Sequence, residues 1–138
     1  MKITTIYLLF FATTLSILSS CEVSTARLTD PKVCTSLTQD LCSTDMPEIS
    51  VQADSLVASC KLKNAPPDTK VKFTWMYYGE TKITIDDVTF DSGNEGINLN
   101  LKSALSRPAN GWPKGVYEVE MKILIDNKKP LIKQFTIK

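Results

Sequence analysis

The sequence predicts an all-β protein in which short antiparallel strands form a sandwich or barrel. Apolar and polar residues alternate in several short runs, most clearly over residues 70–78 (KVKFTWMYY) and 116–125 (VYEVEMKILI). Such alternation is typical of antiparallel strands with one buried face and one face in water. Turn-forming residues separate the runs, and helical periodicity is scarce. These features predict about seven strands over residues 46–138.

Each expected strand has one face that should point into the core. The side chains assigned to this face by parity include Phe73, Trp75, Tyr77, Tyr117 and Val119. Ile83 and Ile85 are also expected inward, before a bend or bulge at Asp86-Asp87. Tyr78 is expected to point outward, and Trp112, within the turn 106–115, is expected to cover one end of the sandwich.

The first 20 residues have the composition of a secretory signal peptide. Lys2 supplies a positive charge, and residues 3–18 form an uncharged apolar run. At about 16 residues this run is shorter than the roughly 20 that a membrane-spanning helix requires. It ends in Leu18-Ser19-Ser20-Cys21, an aliphatic residue, two small residues and a cysteine. This motif resembles the lipobox of bacterial lipoproteins.

The lipobox resemblance implies that residues 1–20 are removed and that Cys21 receives the lipid. The partner would then be the lipid bilayer, since two acyl chains already give stable anchoring. Glu22 follows Cys21, whereas aspartate at this position retains enteric lipoproteins in the inner membrane, so the outer membrane is favoured. Residues 21–45 would form the lipidated N-terminus, a polar tether and a cysteine-containing segment. An uncleaved anchor, or an ordinary signal peptide with a chance cysteine, is the alternative.

Three thiols remain after lipidation, at Cys34, Cys42 and Cys60. Asp30-Pro31 could begin a helix, but the Ser and Thr content beyond it opposes one, so helix and loop stay open. In a continuous helix Cys34 and Cys42 would lie about 12 Å apart, beyond the roughly 7 Å that a disulfide allows. We expect a loop with a Cys34–Cys42 bridge and a reduced Cys60 in the core. A bridge from Cys60 to either of the others is the alternative.

Composition argues against catalysis and against nucleic-acid binding. The chain has no histidine, which removes the commonest general base and the imidazole metal ligands. The 16 basic and 15 acidic residues nearly balance, and nucleic-acid binding needs a basic face. The acidic cluster Asp86, Asp87, Asp91 and Glu95 does not match a calcium loop. We expect no enzymatic activity, catalytic residue, cofactor, metal or nucleic-acid partner.

The order of landmarks resembles an immunoglobulin-like fold. Cys60 lies on one strand and Trp75 on the next, and residues 115–119 (GVYEV) are similar to the tyrosine corner, in which tyrosine precedes the second core cysteine by two. Val119 occupies that cysteine's position, so the inter-sheet disulfide is absent. Residues 111–138 also resemble the last hairpin of immunoglobulin-like modules in bacterial surface lipoproteins. The resemblance implies a seven-stranded sandwich over residues 46–138 and says little about activity.

Together the two resemblances predict a membrane-anchored, non-enzymatic binding module of the bacterial cell envelope with an unknown protein or glycan partner. A structural accessory lipoprotein of a secretion or pilus assembly is the first alternative, and an inhibitor of an enzyme such as lysozyme is the second. Lys61, Lys63, Lys70 and Lys72 would form a basic patch on two adjacent strands. Such a patch is more typical of a solubilising outer face than of a binding surface.

Overall fold

The computed structural model describes residues 24–125 and 128–138, so the signal peptide and Cys21 lie outside the described residues. Eight strands are found there: β1 (Arg27–Cys34), β2 (Glu48–Ile49), β3 (Ser55–Lys63), β4 (Lys70–Tyr78), β5 (Lys82–Asp91), β6 (Leu99–Ser106), β7 (Gly115–Ile123) and β8 (Leu131–Ile137). In these two stretches of chain, no helix has the length and apolar character needed to cross a bilayer.

The strands form two sheets that pack into an immunoglobulin-like sandwich, which confirms the predicted fold class. One sheet has three strands in the order β1-β3-β6, and the other has five in the order β2-β8-β7-β4-β5. All pairings are antiparallel except that of the short β2, which runs parallel to β8.

Strand β1 corrects the expectation for the N-terminal part of the chain. The sequence assigned residues 21–45 to a tether and a cysteine-containing segment, with a possible helix at Asp30-Pro31. Instead, β1 pairs with β3 along its length, and Val33 is buried in the core. The register shifts between Thr29 and Lys32, and Asp30 has a φ of 56°. This bulge accommodates Pro31, which has no N–H to donate to a ladder. The sandwich therefore begins near Arg27.

The core lies between the two sheets and contains the predicted aromatic and aliphatic side chains of β4 and β7. Phe73, Trp75, Tyr117 and Val119 are all buried, as predicted. The Trp75 ring meets Phe135 edge-on, and its Nε1 donates a hydrogen bond to Ser103 Oγ at 2.9 Å across the sandwich. A large aromatic residue thus joins the two sheets through both apolar contact and a satisfied polar group.

Tyr117 forms the tyrosine corner that residues 115–119 predicted. Its hydroxyl donates to the carbonyl oxygen of Pro113 at 2.6 Å, and its ring stacks on Phe135. Burial raises the pKa of Tyr117 to about 12, so the hydroxyl stays protonated and remains a donor. Gly115, at a φ of 140°, lies so close to Tyr77 that a Cβ there would come within 3.2 Å of the Tyr77 ring. The corner therefore requires glycine at its first residue.

Candidate binding surface

The disulfide joins Cys34 and Cys42, the pair favoured by their spacing, with 5.7 Å between the two Cα atoms. Cys34 ends β1, and the loop after it turns back over the outer face of β3. There the bridge packs on Val57, and the backbone N–H of Cys42 donates to Ser59 Oγ at 2.9 Å. The bridge therefore covers the outer face of the three-stranded sheet and fastens the end of β1.

Cys60 is buried in the sandwich core with its thiol unbridged, as the sequence predicted. Burial raises the pKa of the thiol to about 12. The thiolate is the reactive form of cysteine, so this thiol is inert at neutral pH and acts as a small apolar side chain.

The four lysines do not form the patch that the sequence predicted. Lys61 and Lys63 lie on β3, in the three-stranded sheet, whereas Lys70 and Lys72 lie on β4, in the five-stranded sheet. The chain crosses from one sheet to the other between these strands, so the two pairs face solvent on opposite sides of the sandwich. That prediction was wrong because it treated consecutive strands as neighbours within one sheet.

The other candidates from the sequence lie apart from one another. Trp112 is buried and its Nε1 donates to the carbonyl oxygen of Ala53 at 2.7 Å, so it covers one end of the sandwich as predicted. Asp86 and Asp87 lie on β5, well separated along the strand from Asp91. Within residues 24–125 and 128–138, no three Cys, Asp or Glu side chains are grouped closely enough to hold a metal ion.

Tyr78 points outward, as predicted, and belongs to a polar cluster that the sequence did not reveal. Its hydroxyl donates to Glu118 Oε2 at 2.7 Å, and Lys82 Nζ lies 3.4 Å from Glu118 Oε1. The Lys82 ammonium also lies 5.2 Å from the centre of the Tyr78 ring. The hydrogen bond with Tyr78 is the largest cause of a raised pKa of Lys82; desolvation opposes it, and the charge and hydrogen bond of Glu118 raise the pKa further. Lys82 is therefore charged at neutral pH.

Glu118 is the unusual member of this cluster because it lies on the outer face of the sheet and is only 6% exposed. A carboxylate so far withdrawn from water needs hydrogen-bonding partners, and Tyr78 and Lys82 supply them. The three residues come from β4, β5 and β7, which the sheet places side by side. Only the cross-strand register brings them together, so no local signal in the sequence could have identified the cluster.

Among the strands that the structure describes, β5 forms one edge of the five-stranded sheet, beside this cluster. Residues 82–87 are exposed throughout, including Ile83 at 51% and Ile85 at 41%. The prediction that both isoleucines point into a covered core was wrong. Ile85 is the extra residue of a bulge, since Trp75 pairs with Asp86 while Met76 pairs with Thr84. Ile83 has inward parity, since it pairs with Tyr77, but its exposure shows that the smaller sheet does not cover it.

These residues flank the edge of β5, and we call them together the β5 edge surface: the half-buried Tyr78 and the exposed Lys82 on the outer face of the sheet, supported by Glu118, with Ile83 on the opposite face and Ile85 in the bulge. It combines an aromatic ring, a fixed positive charge, two exposed aliphatic side chains and an unpaired strand edge.

No family model matches the chain, and no curated protein matches it either.

Proposed function

We propose that this chain is a bacterial lipoprotein whose sandwich is a non-enzymatic binding module, tethered to the cell envelope through acylated Cys21. The outer membrane is the favoured location because Glu22 follows Cys21. The anchor rests on the signal-like residues 1–20 and the motif at Leu18–Cys21. The non-enzymatic role rests on a chain without histidine, and the binding role rests on the β5 edge surface.

The single observation that carries the binding role is the exposure of residues 82–87. A strand edge presents unpaired N–H and C=O groups, to which an extended segment of another protein can add as a further strand. Ile83 and Ile85 would lose contact with water in such a complex, which is the main favourable contribution to protein association. A protein partner is therefore favoured over a glycan at this surface.

A second copy of this chain is a poor partner for the same edge. Antiparallel pairing of two copies about the centre of β5 would place Asp86 of each copy opposite Asp87 of the other. Like charges directly opposite each other on paired strands are destabilising. An extended segment that carries basic side chains would reverse this effect. The β5 edge surface thus favours a different protein with a neutral or basic strand.

The anchor is tested with Cys21→Ser. We expect the parent chain to incorporate radioactive palmitate in cells and to fractionate with membranes, because the thiol at position 21 accepts the lipid. The variant should incorporate none. Palmitate in the variant at the parental level would overturn the assignment of Cys21.

The binding role is tested by site-specific photo-crosslinking in intact cells. A benzophenone amino acid at position 83 is expected to capture a discrete protein partner, and Asp86→Lys together with Asp87→Lys in the same chain should weaken this capture by reversing the local charge. The matched control carries the probe at Ala104, an exposed position on β6 in the other sheet. Equal capture from positions 83 and 104 would contradict a specific role for the β5 edge surface.

A further inference from the structure

One end of the sandwich carries both the start of the described chain and an exposed apolar surface. We call it the anchor end: residues 24–26, the loops 64–69 and 92–98, and the two sides of the last hairpin at 124–125 and 128–130. The loops are held together by backbone hydrogen bonds, with the N–H of Ala65 donating to the Ile97 carbonyl at 2.9 Å and that of Leu124 donating to the Lys70 carbonyl at 2.9 Å. These bonds join the two loops to each other and the hairpin to the start of β4.

The N-terminal residues are fastened to the same end. Lys128 Nζ donates to the carbonyl oxygen of Ser24 at 2.8 Å, and Thr25 Oγ1 donates to the carbonyl oxygen of Asn64 at 3.4 Å. Two residues, Glu22 and Val23, separate Ser24 from Cys21, and the three Cα-to-Cα steps between Cys21 and Ser24 span at most about 10 Å. A lipid on Cys21 would therefore hold the anchor end next to the bilayer.

The anchor end has the apolar surface that such a position requires. Ser24 and Thr25 line an open depression of about 820 Å³ together with Pro66, Ile97 and Ile125. Ile97 is 60% exposed, and Leu124 in the adjoining hairpin is 44% exposed. Exposed apolar residues that are grouped on one surface mark an interaction site more often than isolated ones do.

Charge complementarity adds little at this end. The residues that define this end carry charges of both signs, with Lys128 and Lys129 balancing Asp68 and Glu95. Apolar contact must then supply the attraction, since neutral surroundings give no preference for anionic headgroups.

We propose that the anchor end is a membrane seat, in which Ile97, Leu124 and Ile125 insert into the headgroup region beside the acylated Cys21. Apolar side chains of interfacial proteins reach about 5–10 Å into this region, a depth similar to the span of about 10 Å between Cys21 and Ser24. This proposal rests on the proposed lipidation of Cys21 and adds that the sandwich takes one orientation relative to the membrane. Strand β5 ends at Asp91, next to the anchor end, and Ile83 lies about 25 Å from Asp91 along the strand. The β5 edge surface would therefore point away from the bilayer.

The seat is tested with the mature, lipidated protein, reconstituted into vesicles of phosphatidylethanolamine and phosphatidylglycerol that contain a nitroxide-labelled lipid as quencher. Ile97→Trp is expected to show a blue-shifted emission that the nitroxide quenches. Ile83→Trp, a matched substitution at another exposed isoleucine, should show neither effect. The parent protein provides the background, because Trp75 and Trp112 are both buried. Replacing phosphatidylglycerol with phosphatidylcholine should leave the quenching of Ile97→Trp unchanged.

The mass of the N-terminal peptide from the same samples distinguishes a failure of the proposed lipid anchor from a failure of the membrane seat alone. An N-terminal peptide without acyl chains overturns the proposed anchor, and the seat with it. An acylated peptide combined with equal quenching of the two tryptophan variants overturns the seat alone and leaves the anchor in place. Quenching that disappears without phosphatidylglycerol would also overturn the seat, because contact would then depend on lipid charge.

Discussion

Trp75→Ala is expected to unfold the domain or to lower its melting temperature by many degrees. Trp75 is fully buried between the sheets, and its Nε1 is hydrogen-bonded to Ser103 Oγ. Truncating a buried tryptophan costs about 3–5 kcal/mol in the free energy of unfolding, and the Ser103 hydroxyl left without its partner adds about 1–3 kcal/mol. A small domain has only about 5–15 kcal/mol in total. Thermal and urea unfolding of the soluble chain 22–138 measure this loss.

The control for Trp75→Ala is Ile132→Ala. Ile132 lies on the outer face of the same sheet and is 52% exposed, so removing its side chain leaves no cavity and should change the melting temperature little. Tyr78→Ala should lower the melting temperature by an intermediate amount, because it removes a half-buried ring and the hydrogen bond to Glu118. A Trp75→Ala variant that melts like the parent would show that the core described around Phe135 and Tyr117 is wrong.

Features that depend on the two-residue period of a strand could be predicted from the sequence. Phe73, Trp75, Tyr117 and Val119 alternate with polar residues, and this alternation reports directly which side of a strand faces the core. The tyrosine corner is equally local, since the hydroxyl of Tyr117 reaches only as far back as Pro113. Sequence neighbours make these interactions, so they could be predicted before the sheets were known.

Features that depend on which strands become neighbours could not be predicted in the same way. Alternation places Ile83 inward, yet it carries no information on whether the opposite sheet extends far enough to cover it. The separation of Lys61 from Lys70 likewise follows from a crossover between sheets, and the Tyr78–Lys82–Glu118 cluster follows from the register of three strands. Each is set by contacts between residues far apart in the sequence.

Strand β1 was missed for a different reason, because its local signals conflict. Asp followed by Pro is typical of a helix start, and it also suits a bulge on an edge strand, where proline needs no partner for its missing N–H. The pairing of β1 with β3 and the burial of Val33 decide between these two structures. Tertiary packing therefore overrides a local preference that was already ambiguous.

Removing the disulfide is expected to lower the free energy of unfolding by about 2–3 kcal/mol, the amount associated with closing a short loop. The test is the double variant Cys34→Ala with Cys42→Ala in the soluble chain 22–138, followed by urea unfolding. We expect a lower midpoint with an unchanged slope, because β1 remains paired with β3 through backbone hydrogen bonds and the core does not contain the bridge. The loss should therefore be smaller than that of Trp75→Ala.

Dithiothreitol provides the internal control for this prediction. Reducing the parent chain should reproduce the lower midpoint of the double variant, whereas the same treatment of the double variant should change nothing. Cys60 is buried and its pKa is raised to about 12, so it supplies almost no thiolate for exchange with the bridge in the folded protein. A peptide map of the non-reduced parent that links Cys60 to Cys34 or Cys42 would contradict the bridge, as would a double variant that is as stable as the oxidised parent.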